Sequence, residues 1–275
     1  MNYLDRLAAR VEVVGTTLCL GIDPDPAALP AGFSRDINGV ERFADLLVEH
    51  AAPFAAAVKA NLAFFEAFGG AGMAALERVR GRVPSGIPFI ADAKRGDIGS
   101  TARRQAVALF DALGADAVTA SPYLGGDALA PLLERGDGFV YVLCRTSNPG
   151  AGEIQDLDIG GEPLFIRVAR RAVTWAGERA NVGLVVGATA PAELARVRRA
   201  TPQLPFLVPG VGAQGGDVVE VLREGRASSG PAGAARGGGL LVNVSRGIAE
   251  AALTGVDPAD GVAASAQRWA GLLQC

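Results

Sequence analysis

Lys94 lies close to two aspartates, Asp92 and Asp97, in the stretch FIADAKRGDIGSTA at 89–102. The chain has 26 lysines and arginines, of which only Lys59 and Lys94 are lysines. An arginine guanidinium stays protonated and spreads its charge over a planar fork, whereas a lysine ammonium is compact and can release a proton. Two flanking carboxylates would keep Lys94 charged. The pattern therefore predicts an ammonium group that donates a proton in a reaction.

Further polar residues stand where the apolar stretches of the chain end. An ionised group at the end of a buried strand is costly unless it is paired, so these groups are expected to form one hydrogen-bonded array in a cavity. The alternative is a set of unrelated surface ion pairs at the starts of loops. The residues concerned are Asp23, Lys59, Asn61, Asp92, Lys94, Asp97, Ser147, Gln214 and Arg246.

Histidine and cysteine chemistry is not favoured by this sequence. His50 is the single histidine and lies in a predicted helix, where a structural role is expected. The cysteines, Cys19, Cys144 and Cys275, are far apart and lack the close pairing of zinc or redox sites, which indicates structural thiols. No Ser-His-Asp or Cys-His set is available, and no metal site is predicted.

Short apolar runs alternate with amphipathic stretches along the whole chain. The runs are apolar nearly throughout, as is typical of parallel strands covered on both faces. Eight such units in roughly 250 residues match a (β/α)8 TIM barrel, an α/β fold in which the carboxyl ends of all strands meet on one face. We expect a single domain over 1–275; a doubly wound open sheet is the alternative, but no strand precedes a G-x-G-x-x-G turn. The predicted strands are 16–23, 56–61, 88–94, 116–121, 138–146, 182–189, 205–212 and 239–247.

Two irregular stretches interrupt this alternation. The segment 223–239 is rich in Gly, Ala, Ser and Arg and poor in bulky apolar residues, which predicts a flexible insert between strands seven and eight. The segment 146–164 is a long loop after strand five, and such loops are often lids or binding elements. A plain surface loop is the alternative for the second segment.

Composition and charge indicate a small-molecule partner. The formal net charge of −3 gives no electrostatic footprint for nucleic acid or for an anionic membrane. No apolar run reaches the roughly 18 residues that a membrane span needs, and the stretch MNYLDRLAARVEVVG contains acidic residues where a signal peptide has basic and then apolar ones. A cytoplasmic location is therefore expected.

Several motifs together resemble a known family, orotidine 5′-monophosphate decarboxylase. They are LGIDP at 20–24, VKANLAFFE at 58–66, DAKRGDIGST at 92–101, TSNPGA at 146–151, VPGVGAQGGD at 208–217 and VNVSRGI at 242–248. The D-x-K-x-x-D element alone is shared with related sugar-phosphate decarboxylases and synthases. The whole set, in the family's order and spanning most of the chain, is similar to the bacterial branch with longer chains.

The resemblance implies an enzyme that converts orotidine 5′-monophosphate to UMP and carbon dioxide in pyrimidine synthesis, without a cofactor. Lys94 would protonate the pyrimidine carbon that loses carbon dioxide, and Asp92 would lie beside the departing carboxylate. Lys59 would position Asp92 and a ribose hydroxyl. Asp23 would contact the ribose, and Asn61 would belong to the substrate-binding set.

The resemblance also assigns the rest of the site and a partner. Ser147 would bond the pyrimidine ring, while Gln214 and Arg246 would hold the 5′-phosphate. Asp97 and Thr101 match residues that reach the neighbouring subunit's site, which implies a homodimer with two shared sites. The eighth-strand motif reads V-S-R-G where other branches of the family have G-R. This difference concerns the geometry of the loop around the phosphate more than the role of Arg246.

Two other classes of function are compatible with parts of the pattern. A related barrel enzyme acting on a sugar phosphate with Mg²⁺ would use the same Asp-Lys-Asp element, but it would need another acidic ligand near the first strands. Glu66 is the candidate, and its place in LAFFE predicts the start of a helix. A phosphate-binding barrel without activity would have no reason to place an acid–base-capable lysine between aspartates.

Overall fold

The strands close into a parallel barrel in which each pairs with its sequence neighbours and β8 returns to β1. The computed structural model describes residues 1–212, 215–254 and 257–275. Each strand falls within one of the predicted runs, apart from Arg95 at the end of β3, so the predicted (β/α)8 barrel is confirmed. The strands are β1 Leu18–Ile22, β2 Ala57–Asn61, β3 Phe89–Arg95, β4 Ala117–Ala120, β5 Phe139–Arg145, β6 Val182–Val186, β7 Phe206–Pro209 and β8 Leu241–Val244.

Helices surround the strands and create two apolar layers. Alternate strand residues point either into the barrel, as Ile90 and Leu241 do, or outwards against the helices, as Val58 and Leu184 do. This double burial explains why the strands are apolar throughout. The helices are α1 Tyr3–Val14, α2 Ile37–Ala51, α3 Ala63–Glu66, α4 Gly69–Arg82, α5 Gly99–Ala106, α6 Gly126–Leu133, α7 Ala151–Gln155, α8 Leu164–Ala176, α9 Pro191–Ala200, α10 Val218–Glu224, α11 Gly230–Ala234, α12 Arg246–Ala249 and α13 Pro258–Leu272.

Helix α1 closes the amino-terminal end of the barrel. Its buried residues Tyr3, Leu7 and Val11 recur every four positions, which places one apolar face against the strands. The Tyr3 ring stacks on Phe139 with centroids 4.7 Å apart, and its hydroxyl lies 3.1 Å from the Tyr141 hydroxyl. This end of the barrel is thus filled by side chains, and the opposite end is left to form a site.

The segment 223–239 contains the end of α10, the short helix α11 and a 3₁₀ turn. Buried Arg198 bonds the carbonyl oxygen of Gly225 at 2.7 Å, and its guanidinium lies 3.5 Å from the centroid of Phe206. Further along, Arg236 donates to the carbonyl oxygen of Cys275 at 2.8 Å. The segment is therefore fastened at several points; its predicted flexibility stays a prediction.

Across the described ranges of the chain, none of the helices has both the length and the apolar character that crossing a bilayer requires.

Candidate active site

A cavity of about 500 Å³ opens at the carboxyl ends of the strands. This is the face where the polar residues were expected to converge. Apolar side chains from β5, β6 and β7 form one wall, and charged side chains from β2, β3 and the residue after β1 form the other. The predicted site residues that line it are Asp23, Lys59, Asn61, Asp92, Lys94, Ser147 and Arg246.

The charged wall is one continuous ion-paired array. Asp92 accepts from both lysines, with Lys59 Nζ 2.8 Å from Oδ2 and Lys94 Nζ 2.7 Å from Oδ1. Asp23 Oδ1 lies 3.8 Å from Lys59 Nζ on the other side. The Lys59 side chain is 5% exposed, whereas that of Lys94 is 49% exposed. Lys59 is therefore a buried counter-ion, and Lys94 is the ammonium that a ligand in the cavity can reach.

Charge pairing overcomes burial at the centre of this array. Burial alone would raise the pKa of the Asp92 carboxyl, but the nearby Lys59 and Lys94 ammonium groups hold that pKa well below its usual range. Burial alone would lower the pKa of Lys59, but Asp23 and Asp92 raise it instead. Both groups are consequently ionised at neutral pH.

Asp97 does not belong to the array within the chain. Among the described residues, its carboxylate makes no ion pair with Lys94; Oδ1 instead accepts from the backbone N–H of Ile98 at 2.8 Å. The expectation that Asp97 flanks Lys94 in the same chain is therefore wrong. The reason is that β3 ends at Arg95, after which the chain leaves the barrel towards α5. Thr101 lies exposed on α5, also outside the cavity lining.

The loop after β5 folds over one side of the cavity. Ser147 lines the cavity next to Thr146, whose backbone N–H donates to Gln155 Oε1 at 2.8 Å. The Gln155 amide returns a bond to Thr146 Oγ1 at 2.8 Å, which ties the start of the loop to α7. The start of the 146–164 loop is therefore part of the site.

Arg246 stands at the rim of the cavity, at the start of α12. Its neighbours Ser245 and Gly247 also line the cavity. Gln214, the other predicted phosphate ligand, lies outside the described residues. Asn61 is half-buried at the end of β2, and its Oδ1 accepts from the backbone N–H of Ala63 at 3.2 Å.

Two polar cavity residues that lie on strands were not identified from the sequence. Thr119 lies on β4 and bonds both Asp92 and the backbone of Lys94. Asn243 on β8 is 8% exposed, and within the described chain its Oδ1 has no hydrogen-bond partner. A Cβ at Gly21 would come within 3.0 Å of that oxygen, so glycine in β1 makes room for Asn243. In the sequence, each of these two residues was marked only by a polar side chain inside an otherwise apolar strand.

Comparison with protein families gives a match over residues 16–257 to the model described as the orotidine 5′-phosphate decarboxylase / HUMPS family. The chain belongs to this family. The match extends over the whole barrel, including the charged wall of the cavity. The resemblance inferred from the motifs to orotidine 5′-monophosphate decarboxylase is confirmed.

Individual members of the orotidine 5′-phosphate decarboxylase family are similar over almost their full length. A protein named orotidine 5′-phosphate decarboxylase from Herpetosiphon aurantiacus is 46% identical over 247 residues, which cover 90% of this chain and 88% of that protein. One of the same name from Roseiflexus castenholzii is 47% identical, covering 90% and 89%. The structure of Leishmania donovani OMP decarboxylase is 40% identical, with a TM-score of 0.83 and 99% of each chain covered.

Proposed function

We propose that this protein decarboxylates orotidine 5′-monophosphate to UMP and carbon dioxide, with Lys94 as the proton donor. The observation that carries the proposal is the half-exposed Lys94 ammonium, bonded to Asp92 at 2.7 Å on the wall of a cavity of about 500 Å³. Membership of the decarboxylase family supports the choice of substrate. The proposal includes no cofactor in any step.

The reaction leaves a negative charge on a carbon atom that stabilises it poorly. When the bond to the carboxylate breaks, its electron pair stays on the pyrimidine ring carbon, where resonance gives little help. A fixed positive charge at that position lowers the barrier, because it is already oriented before the charge develops. Lys94 supplies this charge, and Nζ then transfers a proton to the same carbon. The neutral amine recovers its proton from solvent.

Asp92 has two tasks in this scheme. It holds the Lys94 ammonium in place through Oδ1, and it presents negative charge to the substrate carboxylate. That repulsion ends when the carboxylate leaves as neutral carbon dioxide. Lys59 keeps the buried Asp92 ionised throughout.

The remaining residues would bind the parts of the substrate that do not react. Asp23 and Lys59 would contact the ribose, Ser147 would bond the pyrimidine ring, and Arg246 would hold the phosphate with Gln214. Arginine suits this last task, since its planar fork matches phosphate oxygens. Phosphate binding remote from the reacting carbon can supply energy that closes loops over the site.

Glu66 bears on the competing metal-dependent function. A sugar-phosphate enzyme that uses Mg²⁺ would need this carboxylate free for the metal, but Glu66 forms an ion pair with Arg95. The deciding experiment adds orotidine 5′-monophosphate with and without a chelator and measures carbon dioxide and UMP. Turnover unaffected by chelator supports the proposal. Loss of turnover with chelator favours the metal enzyme, and tight binding without turnover favours a binding protein.

Removing the arginine at the rim should weaken phosphate binding. We expect Arg246→Ala to raise the Kd for UMP roughly 10- to 100-fold, because charge-assisted hydrogen bonds to the phosphate are lost. Uridine, which has no phosphate, serves as the control ligand and should bind the variant and the wild type equally. Calorimetry or equilibrium dialysis measures both. Unchanged UMP affinity would remove Arg246 from the site.

We further propose that the active form is a homodimer in which Asp97 and Thr101 serve the neighbouring site. Three apolar side chains at least half exposed stand in the segments that follow β3 and β4: Ile98 comes directly after Asp97, and Tyr123 and Leu124 follow β4. Helices α5 and α6, which follow these two segments, pack against each other, so the apolar residues can form one face. A second copy of the chain packed against that face would remove these apolar side chains from water.

Mixing two inactive variants tests the shared site. Lys94→Ala and Asp97→Ala subunits should each be inactive alone, but random mixed dimers should recover about a quarter of the wild-type rate, because half are heterodimers with one intact site. The mixture is refolded or co-expressed, and turnover is measured after sedimentation confirms dimers. If folded heterodimers form without recovering activity, Asp97 does not act across the interface.

A further inference from the structure

We propose that Thr119 is a positioning residue of the reaction, whose hydroxyl fixes both the Asp92 carboxylate and the backbone that carries Lys94. This inference rests on the proposed decarboxylation and adds a residue to it. Thr119 lies on β4 within the cavity lining and is 1% exposed. Its hydroxyl links β4 to the charged residues Asp92 and Lys94 of β3.

The ladder between β3 and β4 breaks at the charged residues. Ala91 pairs with Val118, and the next pair along the strands is Arg95 with Ala120. Thr119 alone therefore lies opposite three residues of β3, from Asp92 to Lys94. A bulge of this kind leaves backbone groups without their ladder partners and re-aims side chains.

Lys94 adopts an unusual backbone conformation within this bulge. Its φ of 48° lies in the left-handed region, which is energetically unfavourable for a residue other than glycine. Such a conformation persists only where surrounding contacts hold it. The Lys94 N–H, which has lost its ladder partner, donates to Thr119 Oγ1 at 2.9 Å instead.

The direction of each hydrogen bond follows from the chemistry of the groups. A backbone N–H can only donate, so Thr119 Oγ1 accepts from Lys94. The hydroxyl proton is then free, and it points to Asp92 Oδ1 at 2.8 Å. Asp92 is an ionised acceptor, since it is paired with two ammonium groups. One hydroxyl therefore satisfies both partners at once.

The consequence is a carboxylate that cannot rotate. Asp92 Oδ1 receives Thr119 and Lys94 Nζ, while Oδ2 receives Lys59. Without the hydroxyl, Lys94 could relax to negative φ and carry its ammonium away from the reacting carbon. A displacement near 1 Å can cost about 100-fold in rate.

The test compares Thr119→Val, which keeps the shape and removes the hydroxyl, with Thr119→Ser, which keeps the hydroxyl. We expect Thr119→Val to lower kcat for orotidine 5′-monophosphate about 100-fold while the Kd for UMP changes less than about threefold. Thr119→Ser should stay within about fivefold of the wild type in kcat. If Thr119→Val does not fold, Thr119→Cys replaces it, because a thiol is a poor donor of similar size and should give the same loss.

The outcomes separate this inference from the proposed function. Wild-type protein that fails to decarboxylate refutes the function. Active wild type with a fully active, folded Thr119→Val refutes the positioning role, as does an equal loss in Thr119→Ser. A crystal structure of Thr119→Val gives a readout independent of turnover: we expect Lys94 to leave positive φ or its contact with Asp92 to break. If Lys94 keeps both its positive φ and its contact with Asp92 in that structure, the inference is wrong.

Discussion

Lys94→Ala is expected to lower kcat for orotidine 5′-monophosphate by roughly 10⁴-fold or more, because one group supplies both charge stabilisation and the proton. UMP should still bind, since the cavity, Arg246 and the loop at Ser147 remain. Ultraviolet absorbance or release of labelled carbon dioxide measures the rate, and calorimetry measures UMP binding. A large loss of kcat with retained binding is the signature of a group that acts on the transition state.

Arg199→Ala is the matched control for the loss of one positive charge. Arg199 is exposed on the outer helix α9 and is not among the cavity residues. Its removal should leave kcat within about twofold of the wild type. A Lys94→Ala protein with near-native turnover would refute the role assigned to Lys94.

Asp92→Asn is expected to reduce both activity and stability. The amide cannot balance two ammonium groups, so Lys59 is left buried beside Asp23 alone, at 3.8 Å. Breaking a buried ion pair costs about 3–5 kcal/mol in the free energy of unfolding. With the Lys94 ammonium no longer held, kcat should fall roughly 100-fold or more. Urea unfolding at pH 7 and steady-state kinetics measure the two effects.

The stability loss in Asp92→Asn should depend on pH in a definite direction. The pKa of Asp92 is depressed by folding, so its contribution is present above the unfolded value of about 3.9 and is lost as the pH falls through the folded value. The pKa of Lys59 is raised, so its contribution is present below about 10.4 and is lost as the pH rises through the folded value. The difference in the free energy of unfolding between the wild type and Asp92→Asn should therefore be constant between about pH 3.9 and pH 10.4.

A surface carboxylate provides the control for this pH series. Glu220 pairs with Arg223 on the exposed side of α10, and Glu220→Gln should change the free energy of unfolding by less than about 1 kcal/mol at any pH. A stability difference for Asp92→Asn that persists unchanged at pH 2, or that never appears at pH 7, would contradict the assignment of Asp92 as the buried counter-ion.

The barrel and the charged wall could be predicted because they depend on regular patterns. Strands covered on both faces are apolar throughout, and their carboxyl ends meet on one face. Asp23, Lys59, Asp92 and Lys94 each stand at the end of such a run, so their convergence followed from the fold. The positions of these residues at the ends of the apolar runs were enough to predict their convergence, because every strand of the barrel ends on the same face.

The parts that could not be predicted depend on local departures from that regularity. The sequence placed Asp97 three residues after Lys94, but β3 ends between them and the chain turns away. Thr119 in the run DAVTAS has the β-branched shape of an ordinary strand residue, so nothing marked its hydroxyl. The positive φ of Lys94 is held by tertiary contacts, which a local pattern does not record.

A crystal structure of the protein with UMP bound tests the central claim most directly. The account predicts that Lys94 Nζ lies about 3–3.5 Å from the ring carbon that carried the carboxylate, with Asp92 still bonded to the ammonium. A pyrimidine ring bound elsewhere in the cavity, or an ammonium that points away from that carbon into solvent, would contradict the account.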